Sequence, residues 1–321
     1  MRAVTVGIIS IGDMGLGMSR LLKAHGYRVV TSVEGRSEHT LSRVRAADIE
    51  PLSDQELVVQ TDYVLSIVPP RDALATAERI TRSCREADTA TKRNAIERVN
   101  GGSSRGPLYY LELNATSPRL VEEIAAMFDT ESFVPCQFLD GGIIGGPPSQ
   151  TLQEWKKPSV VLSGTVDLPP TFSQLTEVLN LKLVSPRIGA ASTLKLSFAA
   201  LTKGLTALSI LSFSTAQKQD LLPELLEHLQ QYSPHTAALA SAGVIGMSPK
   251  AYRWVDEMRG IGEAIDREGA WGGLGSSVYG GFADVYRSVS DDTVLGLERV
   301  EARSRGKTVE DAANIIAESK K

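Results

Sequence analysis

Cysteine is scarce in this chain. Only Cys84 and Cys136 occur among 321 residues, too few for the disulfide framework of a small secreted protein. Two thiols indicate a reducing compartment, and the expected location is the cytoplasm. The four histidines show no metal-ligand spacing, so no metal site is expected.

An excess of positive charge is also lacking. The formal net charge is −4, which provides no overall field to gather nucleic acid or anionic lipid. Lys195 and Lys203 interrupt the most apolar segment, so no membrane span is expected. The apolar N-terminal run leads into the glycines at 12 and 15 rather than into a small-residue cleavage site, which indicates a strand and not a secretory signal.

Buried strands and helices alternate over residues 1–187. Apolar, β-branched runs predict strands at residues 4–11, 28–33, 63–68, 108–113, 133–139 and 159–162. This alternation is typical of a Rossmann-type α/β domain with a doubly wound parallel sheet. The polar stretch at 85–106 predicts a flexible surface insertion that ends in a glycine- and serine-rich loop.

After Pro186 the alternation stops, and residues 188–321 predict an all-helical domain. Residues 191–218 form one long helix pattern with apolar residues on almost every face. Such a helix is buried in a core or against a second subunit, so we expect a homodimer through this domain. Ser248 followed by Pro249 predicts an N-cap and the first position of another helix.

A glycine turn follows the first strand. It has two of the three glycines of the dinucleotide-binding fingerprint, with Ser10 at the first position. Gly12 is expected to let a pyrophosphate approach the backbone, and Gly15 to let the helix pack tightly. The alternative is a glycine-rich turn in an α/β fold that binds no nucleotide. The cofactor contacts expected from this turn are Ile11, Gly12, Asp13, Met14 and Gly15.

The end of the second strand bears on the choice of cofactor. An acidic residue there binds the ribose 2′-hydroxyl of NAD, whereas an arginine accommodates the 2′-phosphate of NADP. Glu34 is a candidate for the first role. Arg36 with Ser37 is a candidate for the second, because a guanidinium pairs bidentately with phosphate; Arg36 could instead be a solvated loop residue. The sequence favours NADP(H).

These segments resemble the β-hydroxyacid dehydrogenase superfamily, which contains 6-phosphogluconate dehydrogenase, 3-hydroxyisobutyrate dehydrogenase and the imine reductases. The chain is most similar to the 6-phosphogluconate-dehydrogenase-like proteins. Besides the glycine turn, the matching segments are residues 68–70, 114–118, 140–146 and 189–195. Their order and spacing carry the likeness over most of residues 1–200.

The resemblance implies further site residues. Val68, Pro69 and Pro70 would line the ribose and nicotinamide side of the cofactor, with Asn114 and Thr116 close to the nicotinamide. The segment 140–146 corresponds to the family's substrate loop, although its glycine pairs could be simple turns. Ile144 replaces the family's serine, which suggests a less polar substrate than the small hydroxy acids. The implied substrate contacts are Gly141, Gly142, Ile143 and Ile144.

Lys195 is the expected catalytic residue. It lies one turn into an otherwise apolar helix, where desolvation lowers the pKa of an ammonium group. Such a lysine can give a proton to a carbonyl oxygen as hydride arrives, or take one from a hydroxyl as hydride leaves. The resemblance implies this role at this helix position; the alternative is a lysine that extends to solvent or pairs with a carboxylate. Lys203 is a weaker candidate.

The family's asparagine one turn further on is replaced here by Phe198-Ala199, and Phe198 is expected to contact the substrate. The sequence therefore predicts an NADP(H)-dependent oxidoreductase that interconverts a carbonyl and an alcohol, with Lys195 as general acid and base.

Two other functions stay open. An imine reductase acting on an apolar C=N substrate is favoured by Ile144 and Phe198. It is disfavoured by Lys195, because the proton donor in that group is typically aspartate or tyrosine. A non-catalytic NADP-binding protein is the other, since both departures from the family fall in the substrate region. The expected partners are a small-molecule substrate and a second copy of the chain, without nucleic acid or membrane.

Overall fold

The computed structural model describes residues 4–35, 38–99, 106–128, 131–299 and 302–320. The chain forms two compact units, Met1–Lys195 and Leu196–Lys321. The boundary that the sequence predicts, after residue 187, falls within the first unit.

The first unit is built on a large sheet. Its strands are, in chain order, β1 (Thr5–Ile9), β2 (Arg28–Ser32), β3 (Glu50–Leu52), β4 (Tyr63–Ser66), β5 (Leu108–Glu112), β6 (Cys136–Ile144), β7 (Ser149–Gln150), β8 (Trp155–Lys156), β9 (Ser159–Ser163) and β10 (Leu181–Ser185). β7 and β8 pair only with each other, and the other eight follow the order β10-β9-β6-β5-β4-β1-β2-β3. All neighbours in that sheet are parallel except β6 and β9. The order β3-β2-β1-β4-β5-β6 is that of the dinucleotide-binding fold, and the predicted fold class is confirmed.

Helices cover both faces of this sheet. They are α1 (Asp13–Ala24), α2 (Glu38–Ala46), α3 (Asp54–Gln60), α4 (Ala73–Cys84), α5 (Ala87–Val99), α6 (Pro118–Phe128) and α7 (Thr171–Leu179). One apolar core includes Ile8, Met18 and Leu175, and the other includes Ile9, Val64 and Ile80. Because both faces are covered, the central strands have nearly continuous apolar sequences.

The rest of the chain is helical where the structure describes regular elements. The helices are α8 (Ala190–Lys218), α9 (Leu222–Tyr232), α10 (Pro234–Met247), α11 (Ala251–Gly269), α12 (Leu274–Asp292) and α13 (Val309–Glu318). α11 and α12 approach closely at two glycines, since a Cβ on Gly275 would lie 2.6 Å from the carbonyl oxygen of Gly262. The Asp266 carboxylate accepts three backbone N–H groups at the start of α12, at 2.7–3.0 Å, and so caps that helix.

Four strands were not predicted from the sequence, namely β3, β7, β8 and β10. β3 and β10 form the two edges of the main sheet, and most of their residues are at least partly exposed. Such strands lack the apolar runs that identify central strands. β7 and β8 have two residues each, too few to show a pattern.

The polar stretch at 85–106 is not simply a flexible insertion, because much of it forms α5. Arg93 on this helix is 2% exposed, and its Nη1 donates to the carbonyl oxygens of Val58 (2.6 Å) and Thr61 (2.7 Å). A buried arginine thus satisfies free carbonyls at the C-terminal end of α3. The polarity of α5 conceals this anchor in the sequence; residues 100–105 lie outside the described residues.

The predicted N-cap at Ser248 is wrong. Ser248, Pro249 and Lys250 form a short 3-10 turn, and α11 begins only at Ala251. This turn separates Ser248 from the N–H groups that it would cap. Its hydroxyl is buried and has no hydrogen-bond partner in the part of the chain that the structure describes.

α8 is less buried than its composition predicts. Its apolar side chains at 42% exposure or more are Leu194, Phe198, Leu201, Leu208 and Leu211. By length and composition α8 could cross a membrane, and half of its most apolar window is buried. Lys195 and Lys203 therefore do not exclude a span, contrary to the sequence-based expectation. The core helix of a soluble protein meets the same criteria, so this finding assigns no membrane.

A row of four polar residues crosses the sheet at the carboxyl ends of β4 and β5. The strand register aligns them side by side on β4, β5, β6 and β9: Ser66, Glu112, Asp140 and Ser163. Each is completely buried. Burial, with a contribution from the charge of Asp140, raises the pKa of Glu112 to about 7. Burial also raises the pKa of Asp140. Two carboxyl groups thus lie on neighbouring strands inside the protein.

Glu112→Gln is expected to weaken the pH dependence of the free energy of unfolding. The folded pKa of about 7 exceeds the ordinary 4.5, so the native state binds more protons between these values. The stabilisation by protonated Glu112 is complete below about pH 4.5 and is lost as the pH rises through about 7. Denaturant unfolding at pH 4 and pH 8 should show the wild type losing about 3 kcal/mol relative to the variant. Identical pH dependence in both proteins would contradict this assignment.

Candidate functional site

The turn after β1 has the backbone that a dinucleotide site requires. A Cβ on Gly15 would overlap the carbonyl oxygen of Ser10. Only glycine at position 15 therefore lets α1 pack against this turn. Ser10 itself has φ +80°, in the left-handed region that favours glycine and costs other residues about 1–2 kcal/mol. Serine has therefore replaced the first glycine of the fingerprint while the chain kept the glycine conformation.

Gly12 borders open space. No heavy atom of the described chain lies within 4 Å of a Cβ placed there. Its φ of −73° suits any residue, so glycine here provides room rather than backbone freedom. Gly12 is the N-cap of α1, and glycine has no side chain that could cap this helix. The free N–H groups of the first turn thus border a space that suits a pyrophosphate.

Asp13 at the start of α1 is paired with a cation. Its Oδ1 lies 3.2 Å from Nη1 of Arg43 on α2. Arg43 offsets a carboxylate that would otherwise repel a phosphate at this helix end. No motif in the sequence indicates Arg43, because the pairing depends on the fold. Of the other residues predicted in the turn, Ile11 is buried and Met14 is partly buried, both in the core on one face of the sheet.

An acid and a cation lie near the end of β2. The backbone N–H of Asp54 donates to Glu34 Oε1 at 3.1 Å. Arg79 donates twice to the Asp54 carboxylate, at 2.7 Å each. Although burial raises it, these hydrogen bonds hold the pKa of Asp54 below its ordinary value. Arg36 and Ser37, the predicted phosphate clamp, lie outside the described residues.

Asn114 joins the turn after β4 to the end of β5. Its Oδ1 accepts the backbone N–H of Val68 at 2.6 Å. Its Nδ2 donates to Ser66 Oγ at 3.1 Å and to Glu112 Oε1. The amide is therefore used within the protein, where it fixes the position of Val68. The predicted contact between Asn114 and a nicotinamide stays a prediction.

Thr116 presents a buried hydroxyl at the same edge of the sheet. Thr116 is 1% exposed, and its Oγ1 has no hydrogen-bond partner among the described residues. A buried hydroxyl in this state costs free energy unless a ligand or water bonds to it. Pro69 and Pro70, which follow the neighbouring strand, are exposed. The orphaned hydroxyl fits a polar ligand at the carboxyl edge.

Residues 140–144 are not a loop. β6 continues to Ile144 because its last residues pair antiparallel with β9, and only Gly145-Gly146 lie outside the strand. Gly141 is packed tightly, since a Cβ there would lie 2.6 Å from Leu113 and 2.7 Å from Leu162. Ile143 is 7% exposed and Ile144 is partly exposed.

Gly142 makes room for Lys195. A Cβ on Gly142 would lie 2.6 Å from Cβ and 3.0 Å from Cγ of Lys195. The stem of the half-buried lysine therefore lies directly on the backbone of β6, beyond the carboxyl end of β5. The structure thus brings together two segments that the sequence indicates separately, the glycine-rich segment and the helix lysine. Phe198, one turn further along α8, is 44% exposed.

Lys203, the weaker candidate, forms an ion pair in the second unit. Its Nζ bonds to Glu257 Oε2, with the two side chains 17% and 11% exposed. The same ammonium lies 4.7 Å from the ring centre of Trp254. This cation–π contact and the ion pair give Lys203 a structural role in the helical core.

Two family models match parts of the chain. Residues 5–88 match the family described as NADP oxidoreductase, coenzyme F420-dependent. Residues 216–289 match a domain of unknown function, DUF1932. An uncharacterized 28.5 kDa protein in the 7S RNA 5′ region of Methanothermus fervidus is 29% identical over 231 residues, which are 70% of this chain and 76% of that protein.

Solved structures share the fold of the whole chain. The 3-hydroxyisobutyrate dehydrogenase of Mycobacterium tuberculosis matches with a TM-score of 0.65 and 16% identity, over 100% of both chains. An imine reductase from Myxococcus stipitatus, in complex with NADP+, matches with a TM-score of 0.51 and 16% identity, over 88% of this chain and 94% of that one. The chain therefore has the fold of 3-hydroxyisobutyrate dehydrogenase, which is the fold that the resemblance to the β-hydroxyacid dehydrogenase superfamily implies.

Proposed function

We propose that this protein is an oxidoreductase that interconverts a carbonyl and an alcohol with NADP(H), and that Lys195 is its general acid and base. The contact between Lys195 and Gly142 carries this proposal, because it places the stem of the lysine on β6 just beyond the carboxyl end of β5. Ligands of doubly wound folds bind at this edge, where the strand order reverses. That reversal lies between β1 and β4. The match of residues 5–88 to an NADP oxidoreductase family supports the same class.

The residues at this edge fit a dinucleotide. The N–H groups of α1 and the space beside Gly12 suit the pyrophosphate, with Arg43 as a nearby cation. The unpartnered hydroxyl of Thr116 and the turn at Val68 would face the nicotinamide half. For the 2′-phosphate we propose Arg36 with Ser37. Glu34 is the competing ligand for a 2′-hydroxyl, although its carboxylate already accepts a backbone N–H.

The proposed reaction needs one proton transfer from the protein. When bound, the dinucleotide supplies the hydride. As the hydride reaches the carbonyl carbon, the ammonium of Lys195 gives a proton to the oxygen on which negative charge develops. In the reverse direction the neutral amine accepts the hydroxyl proton. Gly142 lets the lysine stem lie on β6, just beyond the carboxyl end of β5.

An imine reductase is the second candidate. Ile144 is partly exposed and Phe198 is exposed, and these apolar side chains stand in place of two polar residues of the hydroxyacid dehydrogenases. An imine reductase shares the fold. NADPH consumption with a cyclic imine, compared with an aldehyde acid or β-keto acid, separates the two. Trace turnover with all three probes would instead favour a non-catalytic NADP-binding protein.

We also propose a homodimer in the cytoplasm. Both cysteines are free thiols, which suits a reducing compartment. The exposed leucines of α8 form an apolar surface of the kind that a second subunit covers.

Lys195→Met should reduce kcat by about 10³-fold, because general acid catalysis typically contributes 10²–10⁴-fold. The Kd for NADPH should stay within about twofold, since the glycine turn is unchanged. Lys182→Met, which removes an exposed lysine of the same unit, is the matched control and should retain full kcat. Normal turnover by Lys195→Met would rule out the proposed role.

Gly12→Ala should affect the Kd for NADPH, whereas Gly15→Ala should affect the Tm. At Gly12 a methyl group enters open space, so the Tm should be unchanged while the Kd for NADPH rises about tenfold or more. At Gly15 the methyl group overlaps the Ser10 carbonyl, so the Tm should fall. Calorimetry and fluorescence titration measure both effects. Unchanged NADPH affinity in Gly12→Ala would place the pyrophosphate elsewhere.

Arg36→Ala should raise the KM for NADPH by about 10–100-fold and leave the KM for NADH nearly unchanged. The loss corresponds to charge-assisted hydrogen bonds of about 1.5–3 kcal/mol. Glu34→Gln serves as the comparison and should affect NADH more than NADPH. Equal losses for both cofactors in Arg36→Ala would contradict a 2′-phosphate contact.

Sedimentation at micromolar concentration should give twice the 34.5 kDa of the chain. Leu201→Glu with Leu208→Glu should produce monomers, because both leucines are exposed on α8 at 77% and 51% and a carboxylate there is costly to bury. Leu152→Glu, a fully exposed leucine in the first unit, should leave the assembly unchanged. A monomeric wild type would disprove the dimer, and detergent-dependent solubility would point to a membrane.

A further inference from the structure

Asp140 is a buried carboxylate that the proposed chemistry does not use. It is completely buried on β6, and it accepts four hydrogen bonds. The donors are Ser163 Oγ (2.8 Å), Gly189 N–H (3.0 Å), Ser192 N–H (3.1 Å) and Ser192 Oγ (2.6 Å). Three of these four bonds come from the segment that begins α8.

The start of α8 is therefore capped from the sheet. A helix usually begins with a side chain of its own N-cap residue bonded to the first free N–H groups. Here Asp140 of β6 accepts two of these N–H groups, and Ser163 Oγ of β9 accepts that of Ala191 at 3.0 Å. Three N–H groups at the start of α8 are consequently fixed to the strands, while that of Ala190 bonds to the carbonyl oxygen of Arg187 in the loop before the helix, at 3.2 Å.

The same strand meets α8 a second time at Lys195. Asp140 and Gly142 are two residues apart on β6 and therefore face the same side of the sheet. Ser192 and Lys195 are three residues apart on the helix and lie on one face of it. The Asp140–Ser192 bonds and the Gly142–Lys195 contact therefore join the same strand to the same face of the helix at two places. Together they fix the rotation of the first turns of α8 about the helix axis and their position along β6.

We propose that Asp140 is the positioning residue for Lys195. Its carboxylate fixes the first turn of α8 so that the stem of the lysine lies on Gly142 and the amine meets the reacting oxygen. This inference rests on the proposed function of Lys195. A misplacement of about 1 Å in such a group costs about 10²-fold in rate.

The test is a double-mutant cycle on kcat for NADPH oxidation, with the aldehyde acid or cyclic imine that the full-length wild type reduces. Asp140→Asn replaces one acceptor oxygen by an NH2 group, which cannot accept the hydrogen bonds of the backbone donors. The variant should lower kcat about 100-fold and keep the Kd for NADPH within twofold. In the Lys195→Met background it should cost nothing further, because Asp140 acts through the lysine. A similar loss in both backgrounds, or none in the wild type, would overturn the inference.

Ser192→Ala is the milder variant for the case that Asp140→Asn does not fold. It removes only the 2.6 Å hydroxyl bond and should lower kcat about tenfold, again only when Lys195 is present. Amide hydrogen exchange needs no substrate: the N–H groups of Gly189 and Ser192 should exchange at least tenfold faster in Asp140→Asn. Unchanged exchange would show that Asp140 does not hold the helix.

Different results would contradict the proposed function and this inference. Normal kcat in Lys195→Met removes the function whatever Asp140 does. A large loss in Lys195→Met, together with unchanged kcat in Asp140→Asn and Ser192→Ala, leaves the function standing and removes the inference.

Discussion

A helix begins with backbone N–H groups that have no partner inside the helix. The two helices nearest the proposed chemistry, α1 and α8, differ in what these groups contact. At α1 the N-cap is Gly12, which has no side chain to cap the helix and borders open space. At α8 the neighbouring strands supply the acceptors from Asp140 and Ser163. The start of α1 is thereby available to an anionic ligand, whereas the start of α8 is fixed by hydrogen bonds to the sheet. The placement of Lys195 depends on the second.

The buried polar row lies between the turn after β4 and the start of α8. At one end Asn114 links Glu112 to the backbone of Val68. At the other, Asp140 holds the start of α8. Buried carboxyl groups are expensive unless hydrogen bonds satisfy them, and Asp140 is satisfied almost entirely by donors that it fixes in place. The interior of the sheet thus holds the turn after β4 at one end of the row and the start of α8 at the other.

Local sequence patterns predicted the parts of the site that local geometry determines. The glycine turn was recognisable because Gly12 and Gly15 follow a buried strand at a fixed spacing, and the central strands because both faces are covered. Asp140, Arg43 and Arg93 were not recognisable as anchors, because their partners lie far away in the chain and only the fold brings them together. The edge strands β3 and β10 were missed since solvent replaces the apolar neighbours that mark a strand.

The contact between Gly142 and Lys195 also limits which substitutions the proposed site can accept. A side chain at 142 would collide with the lysine stem, and one at 141 would collide with the core. A substitution at either position therefore requires the neighbouring atoms to shift, whereas Ile144 is partly exposed and leaves room for other side chains.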